Sequence, residues 1–137
     1  MNYLLKNVQP ISMNIIATEI IKTAQQETVS HENSIMYIKL YKIMDIDTTK
    51  HISTFLKTVI EGGVTKIIID LIQLSFIDST GIGILINSAK MIRANKGDIV
   101  LLNVSDSIEE IFEPVNLESF IPFYSEKLEA VTFLQNK

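Results

Sequence analysis

The sequence predicts a single α/β domain in which a mixed, mostly parallel β-sheet packs against α-helices. Three observations lead to this class. Runs of aliphatic residues such as 67–69 alternate with longer segments whose apolar residues recur at helical spacing. The aliphatic runs are unbroken, as is typical of strands covered on both faces. The 137 residues, 47% hydrophobic and 20% charged, suit one globular domain of ordinary size.

The first strands are predicted on either side of the polar turn 31–34. The aliphatic segment Ile35 to Leu40 is expected to form a buried strand. Residues 18–24 are expected to pair with it as a second strand, and a helix is the alternative for this segment.

The middle of the chain predicts helix, strand and helix. Asp47, Thr48 and Thr49 offer an N-cap for the first helix, and the glycine pair 62–63 offers its end. The apolar residues between them have the spacing of one helical face: Ile52, Phe55, Leu56, Val59 and Ile60. A strand is predicted over residues 66–71. The next helix is expected to begin near Ser79 and to end around residues 95–97.

The last third predicts a third aliphatic strand over residues 99–102. Ser105 or Ser107 is expected to cap a short helix that Pro114 ends. Residues 121–124 are expected to form an edge strand, because Pro122 cannot donate to a ladder. Ser125 is expected to cap a final helix carrying Leu128, Val131 and Leu134.

This order of elements predicts where a functional site lies. Right-handed crossovers bring the carboxyl ends of parallel strands to one edge of the sheet, where ligand and partner sites occur. The segments leaving those ends are 42–49, 75–81 and 103–107. Asp45, Asp47, Asp78 and Ser79 are therefore expected to lie close together although they are distant in sequence.

Composition excludes several classes of function. The net charge is −4 and no segment is strongly basic, so nucleic-acid binding is not expected. There is no cysteine, which excludes disulfides and thiolate metal sites. Residues 1–10 lack the long apolar core and cleavage pattern of a secretory signal, so none is expected. No apolar run is long enough to cross a bilayer. A cytoplasmic protein without membrane insertion is expected.

Several kinds of site remain open at the predicted edge. Ser79 and Thr80 can cap a helix, or they can form part of an anion-binding site at its N-terminus. Gly81 and Gly83 suit either close packing of helix on sheet or close approach of another chain or an anion. The three aspartates are residue types that bind Mg²⁺, and Asp45 and Asp47 are equally ordinary capping residues.

Enzymatic activity is not predicted. The sequence has no P-loop, the segment 81–83 lacks the third glycine of a dinucleotide fingerprint, and the full residue set of a phospho-receiver domain is absent. His31 and His51 have no neighbours suited to a catalytic triad, and no nucleophile, base and orienting group can be assembled. No cofactor is expected.

The segment Leu74-Ser75-Phe76-Ile77-Asp78-Ser79-Thr80-Gly81-Ile82-Gly83 closely resembles the signature of STAS domains. Among these it is most similar to the bacterial anti-sigma factor antagonists. The resemblance continues through residues 44–45, 94–97 and 111–112. Residues 34–135 are therefore expected to form the STAS domain, and residues 1–33 an N-terminal extension or first strand region.

The resemblance implies a function. In the family, the serine after the aspartate is phosphorylated, which here is Ser79. The unphosphorylated protein binds an anti-sigma factor that is also a serine kinase, and a PP2C-type phosphatase reverses the modification. The partner-binding residues that the resemblance implies are Asp45, Asp47, Asp78, Thr80, Gly81 and Ile82.

The chain departs from the family pattern at one position of the predicted edge. Lys42 stands where relatives usually have glycine, three residues before Asp45. Other STAS domains serve as unphosphorylated scaffolds or regulatory subunits in stress complexes or with transporters, or bind nucleotides or lipids. These roles are the alternatives.

Overall fold

The computed structural model describes residues 34–137, together with the backbone of residues 16–21. The strands are β1 (Ile16–Ile21), β2 (Ile35–Met44), β3 (Lys66–Ile77), β4 (Asp98–Leu102) and β5 (Phe123–Tyr124). The helices are α1 (Ile46–Glu61), α2 (Ser79–Ala94), α3 (Asp106–Phe112) and α4 (Lys127–Gln135), with 3₁₀ turns at Glu113–Val115 and Leu117–Ser119.

The strands form one sheet in the order β1-β2-β3-β4-β5. β1 is antiparallel to β2, with Ile16 opposite Leu40 and Ile21 opposite Ile35. The other neighbouring pairs are parallel. The predicted mixed, mostly parallel α/β sheet is therefore confirmed. The strand expected over 18–24 exists over 16–21, and residues 22–24 lie outside the described part.

The core has two layers, one on each face of the sheet. The larger layer joins alternate residues of β2, β3 and β4 to the apolar faces of α1, α2 and α3. The smaller layer packs Ile35, Ile68, Val100 and Leu102 against Ala130 and Leu134 of α4. Burial on both faces explains the unbroken aliphatic strands.

Two strands are longer than the sequence predicted. β2 continues beyond Leu40 to Met44, and β3 continues beyond Leu71 to Ile77. They stay paired because the register shifts twice, between Lys39 and Tyr41 and between Lys42 and Ile43. These bulges return aliphatic residues such as Leu74 and Ile77 to the core, although the simple alternation is broken.

Two predicted helix caps are wrong. The first helix is capped by Asp45 rather than by residues 47–49, because Asp45 has an extended backbone and its side chain accepts from the N–H groups of Asp47 and Thr48. The final helix is preceded by Glu126 without a side-chain cap, not by Ser125. Leu128, expected on its apolar face, is exposed. The predicted cap at Ser105 and the helix end at Gly62 are confirmed.

Candidate functional site

The carboxyl ends of β2 and β3 are joined directly. The backbone N–H of Asp78 donates to the carbonyl oxygen of Met44 at 3.0 Å. One residue, Asp45, separates β2 from α1, and one residue, Asp78, separates β3 from α2. Two helices therefore begin side by side at this edge, and an aspartate directly precedes each of them.

Asp78 is the N-cap of α2. Its backbone is extended, and its carboxylate oxygen Oδ1 accepts from the backbone N–H of Gly81 at 3.0 Å. The carbonyl oxygen of Asp78 accepts from Ile82 at 3.0 Å. Ser79 and Thr80 are thus the first two helical residues, and neither is the cap that one interpretation of the sequence assigned to them.

Ser79 and Thr80 both have exposed side chains. Within residues 34–137, the hydroxyl of Ser79 has no hydrogen-bond partner and is open to reagents. The cap leaves N–H groups of the first helical turn unpaired, and the positive end of the dipole of a sixteen-residue helix lies there. This position favours negative charge on the Ser79 oxygen.

Asp45 is half-buried in a reciprocal capping box. Its Oδ1 accepts from the N–H groups of Asp47 at 3.0 Å and Thr48 at 3.2 Å. The hydroxyl of Thr48 accepts from the N–H of Asp45 at 3.0 Å. Asp47, in the first turn of α1, is exposed. The structure therefore places Asp45, Asp78 and Ser79 at one edge, with Asp47 two residues after Asp45 in the first turn of α1.

Gly81 and Ile82 lie on the buried side of α2, at its N-terminal end. A Cβ atom added at Gly81 would lie 2.6 Å from Ile77 Cγ1, 2.9 Å from Met44 Cγ and 3.0 Å from the Met44 carbonyl oxygen. Close packing of helix on strand therefore requires glycine here. Ile82 is only 8% exposed. At Gly83 an added Cβ would meet nothing within 4 Å, so packing does not account for that glycine.

The third segment expected at this edge starts elsewhere. β4 ends at Leu102, which pairs with Asp70 near the middle of β3, seven residues before Ile77. The side-chain amide of Asn103 donates to Asp70 Oδ1 at 3.1 Å. A cavity of about 460 Å³ lies beside Asn103, and Glu109 and Glu118 line it together with Tyr124.

Across the described part of the chain, no group of three or more His, Cys, Asp or Glu side chains is arranged to hold a metal ion. Asp45 and Asp78 instead direct carboxylate oxygens at helix N–H groups. His31 lies outside the described residues, and His51 is exposed on α1. Among the same described residues, no helix has both the length and the apolarity required to cross a membrane.

Three apolar side chains at this edge were missed by the sequence analysis. Ile43 is 43% exposed, Phe76 is 46% exposed and Ile46 is 72% exposed. Ile43 and Phe76 are partners in the register of β2 and β3, two residues before Asp45 and Asp78 respectively. A sequence signal existed, since both residues interrupt the alternation of their strands, but strand ends that were placed too early hid it.

The fold and the site together define an α/β domain in which an exposed serine begins a helix at the edge of the sheet. The family model of the STAS domain matches residues 26–130. The chain belongs to the STAS domain family, and the resemblance carried by the motif at 74–83 is confirmed.

Curated and solved relatives agree with this family. The "Anti-sigma-B factor antagonist" of Staphylococcus aureus is 27% identical over 84 residues, which are 61% of this chain and 78% of that protein. The anti-sigma factor antagonist SpoIIAA in its unphosphorylated form superposes with a TM-score of 0.69 at 25% identity, covering 88% of this chain and 98% of that one. The Bacillus SpoIIAA in its phosphorylated form gives 0.60 at 27% identity, covering 85% and 98%.

An anti-sigma factor antagonist from Mycobacterium paratuberculosis has a TM-score of 0.70 at 16% identity, covering 92% of this chain and 97% of that one. At that identity the likeness concerns the fold alone.

Proposed function

We propose that this protein is an anti-sigma factor antagonist that is switched by phosphorylation of Ser79. In its unphosphorylated form it binds an anti-sigma factor that is also a serine kinase, and it thereby frees a sigma factor. The protein acts in the cytoplasm as a binding protein rather than an enzyme, and residues 34–135 form the functional domain.

One observation carries the proposal. Ser79 is exposed as the first residue of α2, behind a cap that Asp78 supplies, and Asp78 is hydrogen-bonded to the end of β2. The names of the relatives support the same function, and SpoIIAA is known in unphosphorylated and phosphorylated forms.

The switch itself is an electrostatic event. The kinase transfers the γ-phosphoryl group of ATP to Ser79 Oγ, the hydroxyl proton leaves and ADP is formed. The phosphate adds about −1.5 to −2 charges at neutral pH. The unpaired N–H groups at the start of α2 hold this charge in the free protein.

A bound partner faces a different balance. It would bury the phosphate beside the carboxylates of Asp45, Asp47 and Asp78, which costs several kcal/mol without new cationic partners. Phosphorylation therefore releases the partner without unfolding the domain. A PP2C-type phosphatase then hydrolyses the ester with water and restores the free hydroxyl.

Asp45, Asp47, Asp78 and Thr80 are proposed as the polar partner contacts. Gly81 and Ile82 are proposed to support the same interface from its buried side. Gly81 allows the first turn of α2 to pack closely on Met44 and Ile77, and Ile82 belongs to the core cluster that contains both residues.

Phosphopeptide mapping after incubation with the organism's own anti-sigma factor kinase and ATP tests the proposal. One phosphate is expected, at Ser79, and Thr80→Ala is the matched control that should label fully. Calorimetric titration should then give tight binding for Ser79→Ala and weak binding for Ser79→Asp. Phosphate at another residue, or equal affinities for the two variants, contradicts the switch. A protein isolated from its native cell that never carries phosphate points to the scaffold role.

A further inference from the structure

Lys42 has a backbone conformation that lysine disfavours. Its φ is 67°, in the left-handed region where the Cβ of an L-residue is crowded. It lies at a register shift between β2 and β3, with Leu74 opposite Lys42 and Phe76 opposite Ile43. Glycine would adopt this conformation without the clash.

The surrounding structure holds Lys42 in this conformation. The hydroxyl of Thr48, which belongs to the capping box of α1, donates to the carbonyl oxygen of Ile43 at 2.9 Å. The same oxygen of Thr48 accepts from the N–H of Asp45 at 3.0 Å. The bulge is thereby tied to the N-terminus of α1, so the strain at Lys42 is imposed by the site and is retained there.

Among the described residues, no hydrogen bond or ion pair accounts for the lysine side chain. It is exposed, and it makes no ion pair with any residue in the range 34–137. Lys96 provides the contrast, since its φ is 66° and it follows the C-cap of α2. A cation there is favoured by the negative end of the helix dipole, so Lys96 has a local reason that Lys42 lacks.

Three exposed apolar residues lie near Lys42 at the ends of β2 and β3 and the start of α1. The cross-strand pair of Ile43 and Phe76 offers side chains that are nearly half exposed, and Ile46 follows on the other side of Asp45. Such groups supply the contact area of an interface, while charges around them set its register and selectivity. Both signs of charge are exposed along this segment, since Lys42 directly precedes Ile43 and Asp47 directly follows Ile46.

We propose that Lys42, Ile43, Ile46 and Phe76 form a docking surface for the anti-sigma factor kinase, with Lys42 as its specificity-determining residue. The inference rests on the function proposed above and extends it beyond the Ser79 site. The complementary partner surface is apolar, with a carboxylate opposite Lys42 and a cation opposite Asp47. The carboxylate of the partner pairs with the ammonium of Lys42, and this pair selects the cognate kinase.

The decisive variant is Lys42→Gly, because it should increase the stability of the protein and decrease its affinity for the kinase. Relief of the backbone strain should raise the melting temperature by about 3 °C. Loss of the ammonium should weaken binding to the organism's own anti-sigma factor kinase about tenfold in isothermal titration. Lys42→Arg should bind within about threefold of wild type, and Lys42→Glu should bind at least about a hundredfold more weakly.

The matched control is Lys96→Gly, which removes a second left-handed lysine at a distance from the surface and should leave binding unchanged. Wild-type affinity of Lys42→Gly for its own kinase overturns the inference and leaves the proposed function intact. Failure of the wild-type protein to bind its own kinase overturns both.

Discussion

The two glycines at the start of α2 should respond oppositely to alanine, although they are two residues apart. In Gly81→Ala the new methyl group would lie 2.6 Å from Ile77 Cγ1 and 3.0 Å from the carbonyl oxygen of Met44. Ile77 and Met44 are fully buried, so neither side chain can swing into solvent. In Gly83→Ala the methyl group would meet nothing within 4 Å.

The magnitudes follow from two terms. Overpacking in a filled core costs about 1–3 kcal/mol, and contacts this short belong near the upper limit. Replacing glycine by alanine within a helix gains about 1 kcal/mol. Gly81→Ala should therefore lower the free energy of unfolding by about 2 kcal/mol, whereas Gly83→Ala should raise it by about 1 kcal/mol.

Urea unfolding, followed by far-ultraviolet circular dichroism, measures both values when the variants are fitted with one common dependence of the unfolding free energy on urea concentration. The two variants should differ by about 3 kcal/mol, which is well beyond the error of the extrapolation. Equal stabilities would refute the packing argument, because helix propensity alone affects both positions in the same direction. A stabilised Gly83→Ala variant that binds the kinase poorly would indicate that a partner approaches the helix at Gly83.

Two further predictions separate recognition from stability at the two capping aspartates. Asp45→Asn keeps an oxygen for the N–H groups of Asp47 and Thr48, so the free energy of unfolding should change by less than about 0.5 kcal/mol. Association with the kinase, measured by stopped flow, should nevertheless be slower than for wild type. A wild-type association rate would show that Asp45 is not part of the interface. Asp78→Ala loses the hydrogen bond from Gly81 and should lower the free energy of unfolding by about 1 kcal/mol in thermal unfolding, whereas Asp78→Asn should lower it only slightly. Equal losses of stability in the two variants would show that this side chain does not act as a cap.

The element types and their order could be predicted from local pattern. Aliphatic runs around Ile35, Ile68 and Val100 indicate strands buried on both faces, and helical spacing from Ile52 to Ile60 indicates α1. The position of Ser79 at a helix start could also be predicted, because small hydroxyl residues stand between an aliphatic strand and a segment with helical apolar spacing. These properties depend on neighbours in sequence, so the sequence contains them.

Strand ends and caps required the tertiary structure. β2 and β3 continue past Leu40 and Leu71 because each pairs with the other through two register shifts, and no local pattern encodes a shift in a distant partner. Asp45 caps α1 because β2 reaches Met44, which leaves one residue for the connection. The predictions at residues 47–49 were wrong for this reason.

By itself, the sequence determined a mixed α/β domain of the STAS family and a serine at the start of its second helix. The tertiary structure alone decided which neighbours of that serine face solvent. Gly81 and Gly83 are the same residue type near the start of one helix, yet only Gly81 packs against Met44. The left-handed backbone of Lys42 and the exposure of Ile43 and Phe76 arise at a bulge between two strands, because pairing and burial depend on residues that are remote along the chain.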